Sequence, residues 1–370
     1  VARDAVARHR PRVVDLEPRV ADRHRVHAQR AQAREHAPRV GEARRVPGEG
    51  AKPVHVLDVE PHRVEGDATV AEASGDVERV MKFVDPERKE LDMAYYFEAT
   101  ELGYLPNEYK MPDPKGFDLV EWKKIYEKWT DAFAKRGWGT MYLANHDQPR
   151  MLTRWGNDSP EFREVSSKML STFILTMRGT PFYYFGDEIG MSNIKFDKVE
   201  DYNDIELLTN YAQVKAKGGD LKRFLEGMKI SSRDNGRTPM QWENAPNGGF
   251  STGKPWLKVN PNYVSVNVAA QESDPNSILN YFRKMIQLRK SEPTLIYGDW
   301  KLVDRDNPSV FAYTRELNGK KLLVLLNFKS KDAAVKTDLD LKNAKVLLGN
   351  YPKPTANGQL RPYESVILEL

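Results

Sequence analysis

Apolar side chains recur at Trp122, Ile125, Trp129 and Phe133 through residues 120–135, the spacing of one face of an amphipathic helix. Residues 277–289 repeat the pattern, and residues 165–177 predict a third helix. Between them lie shorter apolar runs with no helical period: a strand ending at Glu72, then residues 91–99, 139–144 and 182–185. Strands alternating with helices predict an α/β chain with a parallel sheet. Residues 201–230 read as helical excursions after the last of these strands. Beyond Tyr297 the period changes, and WKLVD, SVFAYTREL, KKLLVLLNF, KVLLG and SVILEL follow one another across Asn-Pro, Asn-Gly and Pro-Lys-Pro turns. These predict a small antiparallel β-domain over residues 297–370.

The first 66 residues break from all of this. They hold six of the seven histidines and thirteen arginines but no aromatic residue, Ile, Met, Asn, Ser or Thr. Their 14 basic and 10 acidic residues account for the whole net charge of +4, the remainder being balanced. Val and Ala alone supply little with which to fill a core, so residues 1–66 are expected not to fold or to pack on the rest. Three origins compete: a basic nucleic-acid arm, a natural disordered extension, and translation out of frame. Interspersed acids and missing aromatics weigh against the first. The run of Arg, Ala, Val, Pro, His and Gly, and its abrupt end near residues 66–69, favour the last.

Candidate chemistry gathers at residues 142–150, YLANHDQPR, where an apolar strand runs into Asn145, His146, Asp147, Gln148 and Arg150. A parallel barrel presents its active site in this way, at the C-terminal ends of its strands. Asn-His-Asp alone would equally suit an ordinary strand-to-loop exit. The full string, however, resembles the fourth signature region of the alpha-amylase family of glycoside hydrolases, and NHDQPR resembles its alpha-glucosidase and oligo-1,6-glucosidase branch. ATVAEASG (68–75), RGTPFYYFGDEIGMSN (178–193), RDNGRTPMQW (233–242) and GGFSTGKPWLKVNPNY (248–263) are similar to further segments of that family. The resemblance spans residues 67–370.

It implies a TIM barrel, which needs about 250 residues, whereas roughly 220 precede the β-domain. The expected fold is therefore the C-terminal half of a (β/α)8 barrel over residues 67–296, followed by the β-domain. The separation of Glu72 from Asp147 fits two βα units of roughly 30 to 40 residues each. The resemblance also assigns roles. Glu72 matches the general acid, Asp147 the acid that holds the sugar 2- and 3-hydroxyls, His146 a donor to the same ring, and Arg233 the arginine that grips the terminal glucose. Arg150, Arg237 and a stacking Phe97 are weaker candidates. Each has a plain alternative: a surface Glu72, a core His146 or Phe97, an Arg233 in a surface ion pair.

Retaining glycosidases need two carboxyl groups roughly 5 to 5.5 Å apart, one attacking the anomeric carbon and one protonating the leaving oxygen. The proton donor is expected in a dry setting or beside another carboxylate, which would raise its pKa. The family's nucleophile segment resembles GFRMDVIN; neither RVVDLEP (12–18) nor HVLDVEP (55–61) keeps its spacing, so the nucleophile is assigned to no residue. Two expectations follow. The chain derives from a retaining α-glucosidase acting on short α-glucosides, and as written it is inactive or a sugar-binding remnant. Sucrose isomerases and trehalose-6-phosphate hydrolases share most of the same motifs. The expected partner is a small oligosaccharide, without cofactor, metal, nucleic acid or membrane. With no cysteine there is no disulfide or thiolate site. An intracellular setting is the default, with export left open.

Overall fold

The computed structural model describes residues 68–73 and 75–370. The expectations for residues 1–66 lie outside these. The first strand, β1 (Val70–Glu72), pairs in parallel with β2 (Met93–Tyr95), Glu72 standing opposite Tyr95. Thr69 and Asp92 clasp the start of both strands: the Thr69 backbone N–H and hydroxyl donate to the Asp92 carboxylate at 2.7 and 2.8 Å. A parallel bridge from Ala94 to Gly139 leads to β3 (Thr140–Met141), which pairs in parallel with β4 (Thr180–Pro181). Four parallel strands in chain order, with helices between them, form the back half of a TIM barrel.

The intervening helices follow their sequence signals. Asp76 caps α1 (Val77–Val84) by accepting from the Arg79 N–H at 2.9 Å. A single turn, α2 (Glu98–Glu101), follows β2. The Asp118 carboxylate caps the 18-residue α3 (Leu119–Arg136), which ends at Gly137. Its apolar face buries Trp122, Tyr126, Trp129 and Phe133; Ile125, on the predicted face, is only partly buried. A short α4 (Met151–Trp155) and the largely buried α5 (Arg163–Thr176) separate β3 from β4. Beyond β4 come α6 (Ile205–Ala216), α7 (Leu221–Ser231), α8 (Val268–Glu272), α9 (Ile278–Ser291) and α10 (Pro293–Tyr297).

Three strands differ from expectation, the first being residues 139–144, which are strand only over Thr140–Met141. Residues 91–99 are strand only over Met93–Tyr95, because the chain turns into α2 at Phe97. The last barrel strand is Thr180–Pro181 and not residues 182–185. The Thr180 and Phe182 N–H groups donate to Gly139 and Met141 of the β3 segment at 2.9 and 2.8 Å. The nitrogen of Pro181 therefore points away from the β3 ladder, a position in which a strand tolerates proline.

The C-terminal domain is a five-stranded antiparallel sheet in the order β5-β6-β7-β11-β9, with a small β8–β10 pair beside it. Its strands are β5 (Asp299–Val303), β6 (Val310–Leu317), β7 (Lys320–Asn327), β8 (Ala333–Ala334), β9 (Lys345–Gly349), β10 (Gln359–Leu360) and β11 (Ser365–Glu369). Asn318 and Gly319 join β6 to β7, both with positive φ (51° and 80°), as the tightest hairpin turn requires. One core serves barrel and sheet: Trp122 stacks on Trp155 and Phe173, and Phe311 and Phe328 of the sheet domain pack against them. Arg289 and Arg315 finish the C-terminal end of α5, where carbonyls lack helical partners. Arg289 donates to Leu175 and Met177 at 2.8 and 3.1 Å, and Arg315 donates to Thr176. Among the described residues no helix is long and apolar enough to cross a membrane.

Candidate active site

Glu72 stands at the C-terminal end of β1, and Asn145, His146 and Asp147 stand just beyond β3, two strands away in the same parallel array. Next to Glu72 lies an aromatic cluster. The Tyr95 ring meets Tyr142 edge-on at 5.0 Å and Phe182 at 4.9 Å. Burial, with a smaller push from the Glu72 charge, lifts the Tyr95 phenol to about 12. The dry surroundings expected for the general acid are not found. Glu72 is exposed, because β1 pairs on one side only among the described residues.

Asp147 is the better-built part. Its Oδ1 accepts from Arg237 Nη2 at 2.9 Å and from Arg233 Nη1 at 3.2 Å. Its Oδ2 lies 3.6 Å from His146 Nε2 and takes no arginine. The backbone is held too: the Asp147 N–H donates to Asn145 Oδ1 at 2.8 Å, and Lys110 Nζ donates to the Asp147 carbonyl at 3.2 Å. Burial pulls that lysine below its ordinary pKa, against the attraction of Glu206 and other nearby acids. The Asp147 side chain keeps 40% of its surface exposed and His146 65%, so both remain open to a ligand.

Arg233 is anchored from behind. Its Nε donates to Asp204 Oδ2 at 2.8 Å, its Nη2 donates to Asp204 Oδ1, and Glu206 lies 3.3 Å away. Side-chain hydrogen bonding to Asp204 raises the guanidinium above its usual pKa. Asp204 is buried, which alone would raise its own pKa; the hydrogen bond and charge of Arg233 outweigh this and hold it below the ordinary value. Asp204 also caps α6 through the Glu206 N–H at 3.0 Å. Asp234 accepts the N–H groups of Asn203 and Asp204 at 2.7 and 2.9 Å and faces Arg237 at 3.4 Å. Acids and arginines thus alternate: Asp204, Arg233, Asp147, Arg237, Asp234.

The loop of RDNGRT reaches the Asn-His-Asp loop through a glycine. A Cβ on Gly236 would lie 2.5 Å from the Gln148 carbonyl oxygen, so no other residue lets the two backbones approach so closely. Arg237 Nε then donates to the His146 carbonyl at 2.7 Å.

One expected sugar contact sits differently. Arg150 is wholly buried, with its guanidinium spent on the carbonyls of Phe185 and Thr238, and so presents nothing to a sugar. Phe97 is half-buried at the turn into α2, where its carbonyl accepts from Thr100 and Glu101. The structure brings together His146, Asp147 and Arg233 and adds Arg237, which the sequence marked only weakly. Asp204, Lys110 and Gly236 had not been singled out. Asp204 reads as an ordinary helix cap, and nothing local marks Lys110; only Gly236, inside RDNGRT, could have been suspected.

Residues 55–298 match the model of the alpha amylase catalytic domain. The chain belongs to the alpha-amylase family. The match begins upstream of the boundary expected at residue 66, among residues outside those described. Residues 300–367 match the maltogenic amylase C-terminal domain, which is the five-stranded sheet and its neighbours. The oligo-1,6-glucosidase of Parageobacillus thermoglucosidasius is 40% identical over 78% of this chain and 52% of its own length. The trehalose-6-phosphate hydrolase of Bacillus subtilis is 38% identical over 82% of this chain and 55% of its own. Among solved structures, isomaltulose synthase from Klebsiella superposes with a TM-score of 0.78 at 35% identity, covering 82% of this chain and 55% of that one. The chain spans about half the length of the curated relatives it matches.

Proposed function

We propose that this chain carries the glucose-recognising half of a retaining α-glucosidase site and takes short α-glucosides as ligands. The observation that carries it is the Asp147 carboxylate: Oδ1 is fixed by two arginines while Oδ2 and His146 stay open at the strand ends, on the side where Glu72 ends β1. A carboxylate so held can accept two adjacent sugar hydroxyls and strengthen its hold as the ring flattens toward an oxocarbenium ion. Arg233, backed by buried Asp204, supplies a donor at the same place, and Glu72 is the proton donor to the leaving oxygen. The relatives' names run from a 1,6-glucosidase to a trehalose-6-phosphate hydrolase and an isomaltulose synthase, so the proposal stops at the α-glucosyl unit.

A second reading, sugar binding without turnover, is favoured by the strings before Glu72: neither RVVDLEP (12–18) nor HVLDVEP (55–61) keeps the spacing of the family's nucleophile segment, although the family match itself begins at residue 55. Without a nucleophile the covalent intermediate cannot form, and the remaining acid does not replace it. The test is calorimetric titration of the 370-residue protein with a glucose-configured iminosugar, beside hydrolysis of p-nitrophenyl α-glucoside. Binding with trace hydrolysis is expected. No binding would overturn the proposal, and robust turnover would overturn the second reading.

A further inference from the structure

Three loops meet on the buried Arg150. Its backbone N–H donates to Asn193 Oδ1 at 3.0 Å, its Nη1 donates to the Phe185 carbonyl, and its Nη2 donates to the Thr238 carbonyl at 3.3 Å. The guanidinium lies over the Phe185 ring at 4.8 Å and the Tyr184 ring at 5.6 Å. The turn after β4 closes on it: Gly186 has φ +86°, and a Cβ there would sit 2.8 Å from Arg150 Nη1. The contacts fall in a telling order along the chain. Arg150 is three residues past Asp147, and Thr238 directly follows Arg237, which donates to the Asp147 carboxylate.

We infer that Arg150 is the positioning residue of this site, a single guanidinium that fixes the Asp147 loop against the Arg233–Arg237 loop and so sets the geometry in which a glucosyl ring is held. A merely structural arginine would stabilise the fold; this one also fixes the spacing between the carboxylate and the arginines that orient it. Lysine keeps the charge but lacks the longer, rigid planar fork that sets one donor on each of these two carbonyls, whereas free guanidinium can occupy the space that alanine leaves. The inference rests on the proposed glucose site for its ligand arm but not for its loop arm.

The experiment uses the full chain and its R150A and R150K variants. Amide hydrogen exchange over residues 145–150, 185–193 and 233–238 is followed without ligand, with and without low millimolar guanidinium. The glucose-configured iminosugar is titrated in parallel. In R150A all three loops are expected to exchange faster together and to slow again with guanidinium, and affinity to fall about tenfold, the effect of losing roughly one well-placed hydrogen bond to the ligand. R150K leaves a buried carbonyl without its donor and is expected to melt only a few degrees below the parent yet to lose as much affinity as R150A, which a stabilising role alone would not produce; it decides the matter if R150A does not fold. Exchange confined to one loop, or R150K binding as well as the parent, would overturn the inference. If the parent itself binds no iminosugar, the glucose reading fails while the exchange data still decide the role of Arg150.

Discussion

Arg237 holds Asp147 twice over, by Nη2 on the carboxylate at 2.9 Å and by Nε on the carbonyl of the preceding His146 at 2.7 Å. One planar fork thus orients a side chain and the peptide that bears it, a geometry that a lysine cannot copy. R237A is expected to weaken iminosugar binding about tenfold while costing only about 1 kcal/mol of stability, since the group sits at a partly open rim. R237K should fall between. Titration calorimetry beside urea denaturation separates the two effects, and equal binding by R237A would show that Arg233 suffices.

Asp204 is buried behind Arg233 and takes two of its nitrogens, whereas Glu206 reaches one of them, at 3.3 Å. D204A leaves a guanidinium, 17% exposed, without its main partner and uncaps α6 in the same stroke. Removing one member of a buried pair costs about 3 kcal/mol. A loss near that size in urea denaturation is expected, and a change below about 1 kcal/mol would place the pair in effective contact with water.

Gly236 should accept no side chain. The Cβ of G236A would press on the Gln148 carbonyl at 2.5 Å, and a backbone atom cannot rotate away as a side chain can. Either loop must retreat. Overpacking of this kind costs about 1 to 3 kcal/mol, and here it also parts Arg237 from Asp147. A lower melting temperature together with weaker iminosugar binding is the expected pair of results.

Asp187 gives the fold a pH dependence. Burial pushes its carboxyl up to about 8, with Arg150 opposing and Glu188 adding to the rise. An unfolded aspartate titrates near about 3.9. Between those values the folded chain keeps a proton that the unfolded chain has released, so this group's contribution to stability is greatest below about pH 4, declines as pH rises, and levels off above about 8. D187N cannot titrate. The difference in melting temperature between parent and D187N, followed from about pH 5 to 9, is therefore expected to move in favour of D187N and then flatten. A constant difference would mean that Asp187 is ionised in the fold throughout.

The elements most visible in the sequence are those whose side chains repeat at a period. Trp122, Trp129 and Phe133 mark α3, and the five sheet strands appear where their apolar runs were placed. Barrel strands were harder, because a two-residue strand such as Thr180–Pro181 has no period and its proline argues against it. Only the direction of the neighbouring N–H groups explains why that proline is allowed. At the site, Asp147 and Arg233 were legible because their flanking strings are distinctive. Asp204 was not, since a helix-capping aspartate and one that also anchors an arginine are spelled alike. Arg150 was misread for a related reason: a polar string shows that charge is present but not which way it faces.

The order of the C-terminal sheet has a consequence for synthesis. β11, last of the five strands in sequence, lies between β7 and β9 and contributes the fully buried Val366, Ile367 and Leu368. Until residues 365–369 have left the ribosome, β7 has an unpaired edge and β9 has no neighbour in its own sheet. Such open edges invite pairing with other chains. The barrel helices share their core with this sheet, so they too wait on it for full burial. A chain cut short of residue 365 would therefore be not a nearly finished protein but one with the seam between β7 and β9 still open.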